Sequence, residues 1–427
     1  VANTAGTGRQ LKLRHGSIVI AGIAACLLLL LAGLDEHRRN AHAMGERPDG
    51  TPSITANPEK AIGDPEALLF KTLLAIRNNR LDVALTEIDQ VIAAYPTFRL
   101  AHLIKGDLLL SRSQPLTGIG NAQGAPEDRL AGLRDEARAR LVRQQAERPM
   151  NRVPKHLLQL QPNQKYAFLV DSSKSTLYVF ENRDGTPRYV ADYYVSAGKN
   201  GTDKTREGDK RTPLGVYYVT TVMPREKLTD FYGSGAFPIS YPNEWDRRQG
   251  RNGSGIWLHG TPSDTFSRPP RASDGCVVLT NKDLDAIATR VQVGVTPVVI
   301  ANEVEWTTPQ ATAGLRQELA VQLERWRRDW ESLDTEKYLS HYAVNFTSGK
   351  QDRKSWSEQK RTVNSAKQWL KVGVDNVGMF LYPGYDDLVV VTFEQKYSSN
   401  NLNNQMRKRQ YWARENGVWK IIHEGAA

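Results

Sequence analysis

Positions 16–34, GSIVIAGIAACLLLLLAGL, form nineteen consecutive residues without a charge, close to the ~20 apolar residues a helix needs to cross a bilayer. Arg9, Lys12 and Arg14 precede the run, so a short N-terminus is expected to stay in the cytoplasm and the remainder to be exported. Residues 1–40 therefore read as a cytoplasmic stub and signal anchor. A cleaved signal peptide is the other reading, because Ala41-His42-Ala43 matches a small-residue cleavage site. The length of the run and the intervening DEHRRN favour the anchor. Residues 41–63 lose periodicity and are polar with scattered Pro and Gly, which marks a linker.

Helical spacing begins at Asp64-Pro65, an N-cap and first-turn pair followed by Leu68, Leu69, Thr72, Leu73 and Ile76. A second helix is predicted from Leu81 to Tyr95, a third from Phe98 to about Ser111, and a fourth over 127–148 whose mixed charges read as a solvated face. The block AIRNNRLDVALTEIDQVIAAYPTFRLAHLIKGDLLL resembles one tetratricopeptide repeat running into the next helix. Such arrays need three or more repeats to be stable alone. The small all-α region 64–150 is thus expected to lean on another surface, either a second copy in a homodimer or the next domain as a helical cap.

The period then changes. Short runs such as AFLVD, TLYVF, YVADYYV, GVYYVTTV, IWLHG and PVVIA, separated by turn residues, predict a mostly-β domain over 165–302, an antiparallel sandwich or small barrel. After Thr307 the pattern is helical again. A long helix is predicted from Leu315 to Tyr342 with Leu319, Leu323, Trp326, Trp330 and Leu333 on one stripe, and a second over 355–365. Strand-like segments follow, the last two joined at Glu415-Asn416-Gly417, where Asn-Gly signals a hairpin. Helices followed by a curved antiparallel sheet resemble a nuclear transport factor 2-like (NTF2-like) domain, an α+β cone over 310–427. Trp326, Trp330, Trp412 and Trp419 are expected to form its core, and the isolated His341 and His423 to be structural. The chain as a whole is read as multidomain α+β.

The net charge of +10 suggests an anionic environment such as a membrane surface or a wall polymer. No zinc spacing or basic aromatic helix marks a nucleic-acid module, so no nucleic-acid partner is expected. The Gly-rich stretch SAGKNGTDKTREGDKRTPLG lacks the spacing of a phosphate loop. Lys210 and Arg211 within it suit either a groove for peptide carboxylates or a solvated hairpin. Of the two cysteines, Cys26 falls in the apolar run, so Cys276 is the single thiol of the exported part. An unpaired thiol in that setting points to reactivity. His259-Gly260 stands seventeen residues before Cys276, which ends Ser273-Asp274-Gly275-Cys276. A thiol and an imidazole are the two parts of a cysteine acyl-transfer site, and Gly275 lets backbone amides approach a substrate carbonyl.

His-Gly, a gap of a dozen or more residues, then Ser/Thr-x-Gly-Cys and an apolar residue resembles the signature of the YkuD-type L,D-transpeptidases. FLVDSSKSTLYVFE, the Thr-Pro-x-Gly element in DKRTPLGVYYVT and FYGSGAFPISYPNEWD fit the same family. The resemblance implies Cys276 as nucleophile and His259 as general base and then acid, its tautomer fixed by the Gly260 carbonyl or a nearby acceptor. It also implies an oxyanion hole from the Gly275 and Cys276 amides. Ser273 would orient the histidine or the substrate, Asp274 would bind an amine, and Arg211 and Tyr241 would complete the substrate site. No cofactor and no metal is implied. Two positions depart from the commonest version, which has His where Asp274 stands and Arg where Val278 stands. The implied partners are peptidoglycan stem peptides and, through the N-terminal helix, the inner membrane, placing the protein in the periplasm. L,D-transpeptidation, L,D-carboxypeptidase trimming, hydrolysis of lipoprotein–wall links and a non-enzymatic wall-binding scaffold remain open at this point, with transpeptidation first.

Overall fold

The computed structural model describes residues 64–121 and 124–427; the expected anchor and linker lie outside the described residues. Among those described, no helix is long and apolar enough to cross a membrane. The chain divides into two compact units. One runs to Ala146 and includes Pro262–Pro270, and the other comprises Glu147–Thr261 and Arg271–Ala427.

In the first unit α1 (Pro65–Arg77), α2 (Leu81–Ala94), α3 (Arg99–Leu110) and α4 (Glu127–Gln145) pack around Leu69, Leu73, Ile88, Val91, Leu100, Ile104 and Leu141. Asp64 caps α1 by accepting from the Glu66 amide at 3.2 Å, with Pro65 in the first turn where no donor is missed. The charged helix α4 departs from the solvated face expected of it. Glu136 and Arg140 are both buried, and the Arg140 guanidinium bridges Glu136 at 2.9 Å and Glu66. Burial pushes the Glu136 carboxyl up despite Arg140. Segment Pro262–Pro270 belongs to this unit: the Phe266 ring lies 4.8 Å from Tyr95 and 4.6 Å from Phe98, and the Ser267 hydroxyl donates to Glu136 at 2.5 Å.

The second unit opens with β1 (Val153–Pro154) and β2 (Leu157–Gln159). β3 (Tyr166–Asp171), β4 (Thr176–Arg183), β5 (Thr186–Tyr194), β7 (Gly215–Tyr218) and β13 (Pro297–Ala301) form a five-stranded sheet of order β5-β4-β3-β13-β7. A second sheet has order β12-β10-β9-β8, from β8 (Met223–Pro224), β9 (Gly235–Pro238), β10 (Trp257–His259) and β12 (Val277–Val278). Between them β6 (Ala197–Gly198) pairs with β11 (Arg271–Ser273), and β14 (Trp306–Thr307) returns to β1. The wholly antiparallel sandwich expected from the pattern is corrected. β13 runs parallel to β3 and β10 parallel to β12, which is possible because long crossovers, not tight hairpins, connect those strands. Both sheets contribute to one core of Phe168, Val170, Tyr217, Phe237, Leu258 and Val277, closed by Leu284 and Ile287 of α6 (Asn281–Ala288).

The C-terminal domain runs α7 (Pro309–Glu331), α8 (Thr335–Ser340), β15 (Tyr342–Ser348), β16 (Gln351–Asp352), α9 (Arg353–Ser365), then β17 (Leu370–Leu381), β18 (Leu388–Ser399), β19 (Asn403–Glu415) and β20 (Val418–Ala426). Its sheet has order β16-β15-β20-β19-β18-β17-β2. The long helix predicted to Tyr342 is broken. Leu333 adopts φ +62°, Asp334 caps α8 through the Lys337 amide at 3.1 Å, and Tyr342 already begins β15. The Asn-Gly hairpin forms as expected, with φ +51° at Asn416 and +79° at Gly417. Trp326, Trp330, Trp412 and Trp419 are core, as expected. The back of this sheet packs on the five-stranded one through Phe180, Val216, Val299, Phe380, Val390 and Tyr411. Across that join, α5 (Glu244–Arg248) places Glu244 3.0 Å from Arg409 and 2.8 Å from the Tyr411 hydroxyl.

Candidate active site

Pairing of β10 with β12 sets Leu258 opposite Val277 and His259 opposite Val278. Leu258 and Val277 point into the core. Side chains alternate along a strand, so His259 and, one residue ahead of β12, Cys276 turn to the other face. His259 is 1% exposed, whereas Cys276 is half-buried. The His259 Nδ1 donates to the Gly260 carbonyl at 2.7 Å, which puts a proton on Nδ1, because a carbonyl oxygen can only accept. The thiol donates weakly to the Gly255 carbonyl at 3.4 Å. Beside the imidazole stand the rings of Tyr232, edge-on at 5.1 Å, and Phe231 at 5.8 Å, with Trp257 4.8 Å from Tyr232.

Backbone stacked on backbone holds the loop that carries Cys276. The Ser273 hydroxyl donates to the Cys276 carbonyl at 2.6 Å and accepts from the Gly275 amide at 3.1 Å. Thr212, fully buried, donates to the Gly275 carbonyl and accepts from the Gly198 amide, both at 2.9 Å. Gly275 has φ +131°, and a Cβ there would lie 2.8 Å from the Arg211 carbonyl; one on Gly198 would lie 2.5 Å from the Lys210 carbonyl. Only glycine permits these approaches. On the histidine side, Asn281 at the start of α6 accepts from the Ser234 and Thr261 amides at 3.0 and 3.1 Å and donates to the Thr261 carbonyl at 2.9 Å. The chain between His259 and Cys276 passes through the Pro262–Pro270 segment of the helical unit.

The predicted residues thus find varied places. Gly260 supplies the carbonyl that fixes the histidine tautomer. Ser273 is buried and steadies the Cys276 loop itself. The Gly275 amide, expected in the oxyanion hole, is engaged by Ser273. Asp274 is exposed and ion-paired with Lys199 at 3.1 Å. Arg211 is exposed, donating to the Thr202 carbonyl at 2.9 Å. Tyr241 departs from its expected place at the substrate. It lies in the core with its hydroxyl on the Asn252 carbonyl at 2.8 Å, and burial pushes its phenol well up. Thr212, Asn281 and Tyr232 were not singled out from the sequence, although Thr212 belongs to the quoted Thr-Pro-x-Gly element and Tyr232 to the quoted FYGSG segment. Among the described residues no group of three or more His, Cys, Asp or Glu side chains gathers as a metal site.

Residues 165–300 match the model of the L,D-transpeptidase catalytic domain (YkuD), a family that acts on peptidoglycan peptides, and residues 318–425 match that of the Cds6 C-terminal NTF2-like domain. No match was found among curated proteins. Among solved structures, Bd1075 of Bdellovibrio bacteriovorus is 30% identical with a TM-score of 0.58, over 65% of this chain and 98% of that one. The helical cell shape determining protein Pgp2 of Campylobacter jejuni is 25% identical with a TM-score of 0.55, over 66% of this chain and 97% of that one. The chain belongs to the YkuD-type L,D-transpeptidase-like family of peptidoglycan enzymes, in the form that carries a C-terminal NTF2-like domain.

Proposed function

We propose that the protein modifies peptidoglycan through a cysteine acyl-enzyme formed on the L–D bond of stem tetrapeptides. His259 Nε2 takes the Cys276 proton, and the thiolate attacks the carbonyl carbon of the L-centre. The tetrahedral intermediate collapses to a thioester as the C–N bond breaks, and His259 returns the proton to the amine of departing D-alanine. The Cys276 amide is the oxyanion donor the resemblance implies. An amine from a second stem then takes the acyl group to form a cross-link, which is L,D-transpeptidation. The observation that carries this reading is the 2.7 Å bond from His259 Nδ1 to the Gly260 carbonyl, made on the strand face that Cys276 shares. It supports an imidazole held in one orientation with its proton on Nδ1.

L,D-carboxypeptidase activity, with water as acceptor, is the second reading. It is favoured by Val278 standing where cross-linking members have Arg, and by the likeness to a protein that determines helical cell shape, since trimming stems limits later cross-linking. Export to the periplasm behind an N-terminal anchor, and pairing of two copies through the helical unit, belong to the same proposal.

The test is incubation with purified sacculi or disaccharide tetrapeptide followed by mass spectrometry, with Cys276→Ala as control. Dimers or D-amino-acid exchange dependent on Cys276 establish transpeptidation. Tripeptide and free D-alanine without dimers establish the carboxypeptidase. Identical products from both proteins would sink the acyl-enzyme.

A further inference from the structure

A surface cavity of about 640 Å³ opens beside the nucleophile loop, ringed by Lys199, Arg206, Lys210 and Arg211, with Asp209 as its one carboxylate. Asp209 does not answer those cations. It accepts from the Lys204 ammonium and the Thr205 amide at 2.8 Å, and from the Arg206 and Arg211 amides at 3.1 Å. Burial pushes its carboxyl up, but these donors outweigh burial and hold it at about 2. Lys204 is itself buried, 3% exposed, and also donates to the Arg206 carbonyl at 2.9 Å. The loop is therefore tied from within around a neutralised pair.

It is tied from outside as well. Arg251 pairs with Asp203 at 2.8 Å, Asn252 accepts from the Glu207 amide at 2.9 Å, and its own amide donates to the Thr205 carbonyl at 3.3 Å. A merely solvated hairpin has no need of this bracing. Meanwhile the Arg206 guanidinium and Lys210 ammonium engage no hydrogen-bond or ion-pair partner among the described residues. The Arg211 backbone lies against Gly275, next to the nucleophile, and Thr212 bonds the Gly275 carbonyl.

We infer that this braced cationic loop is a subsite for the C-terminal carboxylate of the donor peptide. The inference rests on Cys276 being the nucleophile proposed above. Attack at the carbonyl of the penultimate residue leaves the terminal carboxylate two bonds beyond the departing nitrogen, so it must lie close to the nucleophile loop. A free carboxylate is also the group that distinguishes a chain end from an interior peptide bond. The braced backbone fixes where Arg206 and Lys210 start, and their guanidinium and ammonium groups bind it by charge-assisted hydrogen bonds.

The test uses the full chain carrying Cys276→Ala and titrates it calorimetrically with two probes, disaccharide tetrapeptide with a free C-terminal carboxylate and the same compound as its carboxamide. The acid is expected to bind about tenfold more tightly, and Arg206→Gln with Lys210→Gly to erase that difference. Lys210 has φ +58°, a conformation glycine adopts without strain, so loss of discrimination in that variant does not come from a distorted loop; an unchanged melting curve checks this. Equal binding of acid and amide, no binding of either, or discrimination that survives in the double variant overturns the subsite. Failure of the acyl-enzyme reads differently: acid still binds better than amide while wild-type protein yields no Cys276-dependent product.

Discussion

The nucleophile loop and the interior of the NTF2-like domain both bury polar groups, but by opposite means. At the nucleophile the polar atoms are mostly backbone, and two hydroxyls, from Ser273 and Thr212, join three close segments. In the NTF2-like domain they are side chains, charged and neutral, that meet across the β19–β20 pair and from β15 and α9. Lys408 reaches Glu424 at 2.7 Å, Gln410 donates to Glu424 at 2.7 Å, and Tyr342 donates to it at 3.1 Å. Tyr342 in turn meets Tyr338 at 2.6 Å and the Trp326 indole at 3.0 Å, while the Lys360 ammonium sits 4.1 Å from the Trp356 ring centre. The first arrangement fixes geometry at small electrostatic cost. The second holds charge in a dry interior, where removing one partner strands the other. Substitutions at the loop should therefore alter rate as well as stability, and substitutions in the network should alter stability first.

The largest expected effect is Glu424→Gln, which leaves Lys408 buried without its counter-charge and should cost about 3–5 kcal/mol in denaturant unfolding. Burial pushes the Glu424 carboxyl up, but Lys408, Lys360 and Gln410 overcome this and hold it below its ordinary value. Its folded-state value is the lower one, so its stabilisation is complete above the unfolded value of about 4.3 and is lost as pH falls through the folded one. An acid titration of the variant should lack that loss.

Lys360 should show the opposite slope. Burial lowers its ammonium to about 8, so between about pH 8 and 10.4 the unfolded chain binds the proton that the folded chain has shed, and stability rises with pH. Lys360→Met should be more stable than wild type at pH 7, by up to about 3 kcal/mol, and flat across that window. Equal slopes in variant and wild type would remove Lys360 from the account.

At the loop, Gly275→Ala drives a Cβ toward the Arg211 carbonyl and should lower kcat by about 100-fold, because misplacement of about 1 Å is enough. It should also lower the stability read from denaturant unfolding by about 1 kcal/mol or more, because alanine is strained at φ +131°. The mildest change, Thr212→Val, keeps the shape but removes the bond to the Gly275 carbonyl. About tenfold in kcat with KM little changed is expected. A drop in stability with kcat preserved would place Thr212 in the core rather than in the positioning of the nucleophile.

Local chemistry was legible where it was written within a short stretch of chain. The Gly260 carbonyl beside His259, the Asp64-Pro65 helix start and the Asn416-Gly417 turn all depend on neighbouring residues, and each appears in the structure as the element expected. Where the outcome depended on a remote partner, local reading failed. The mixed charge of α4 gave no sign that Glu66 would enclose Arg140 from another helix. Nothing near Tyr241 announced that the Asn252 carbonyl would draw its hydroxyl into the core. Alternation in β3 and β10 marked strands but not the parallel partners β13 and β12.

The sequence by itself determined the family motif around His259 and Cys276, the start of the first helix and the last hairpin turn, because spacing and residue type constrain groups a few bonds apart. Only the tertiary structure decided that Thr212 would hold the Gly275 carbonyl, that Glu66 would enclose Arg140, and that Tyr342 and Lys360 would gather at Glu424. Those results depend on desolvation and on pairing between segments far apart in the chain, and a residue's own neighbours carry no information about either.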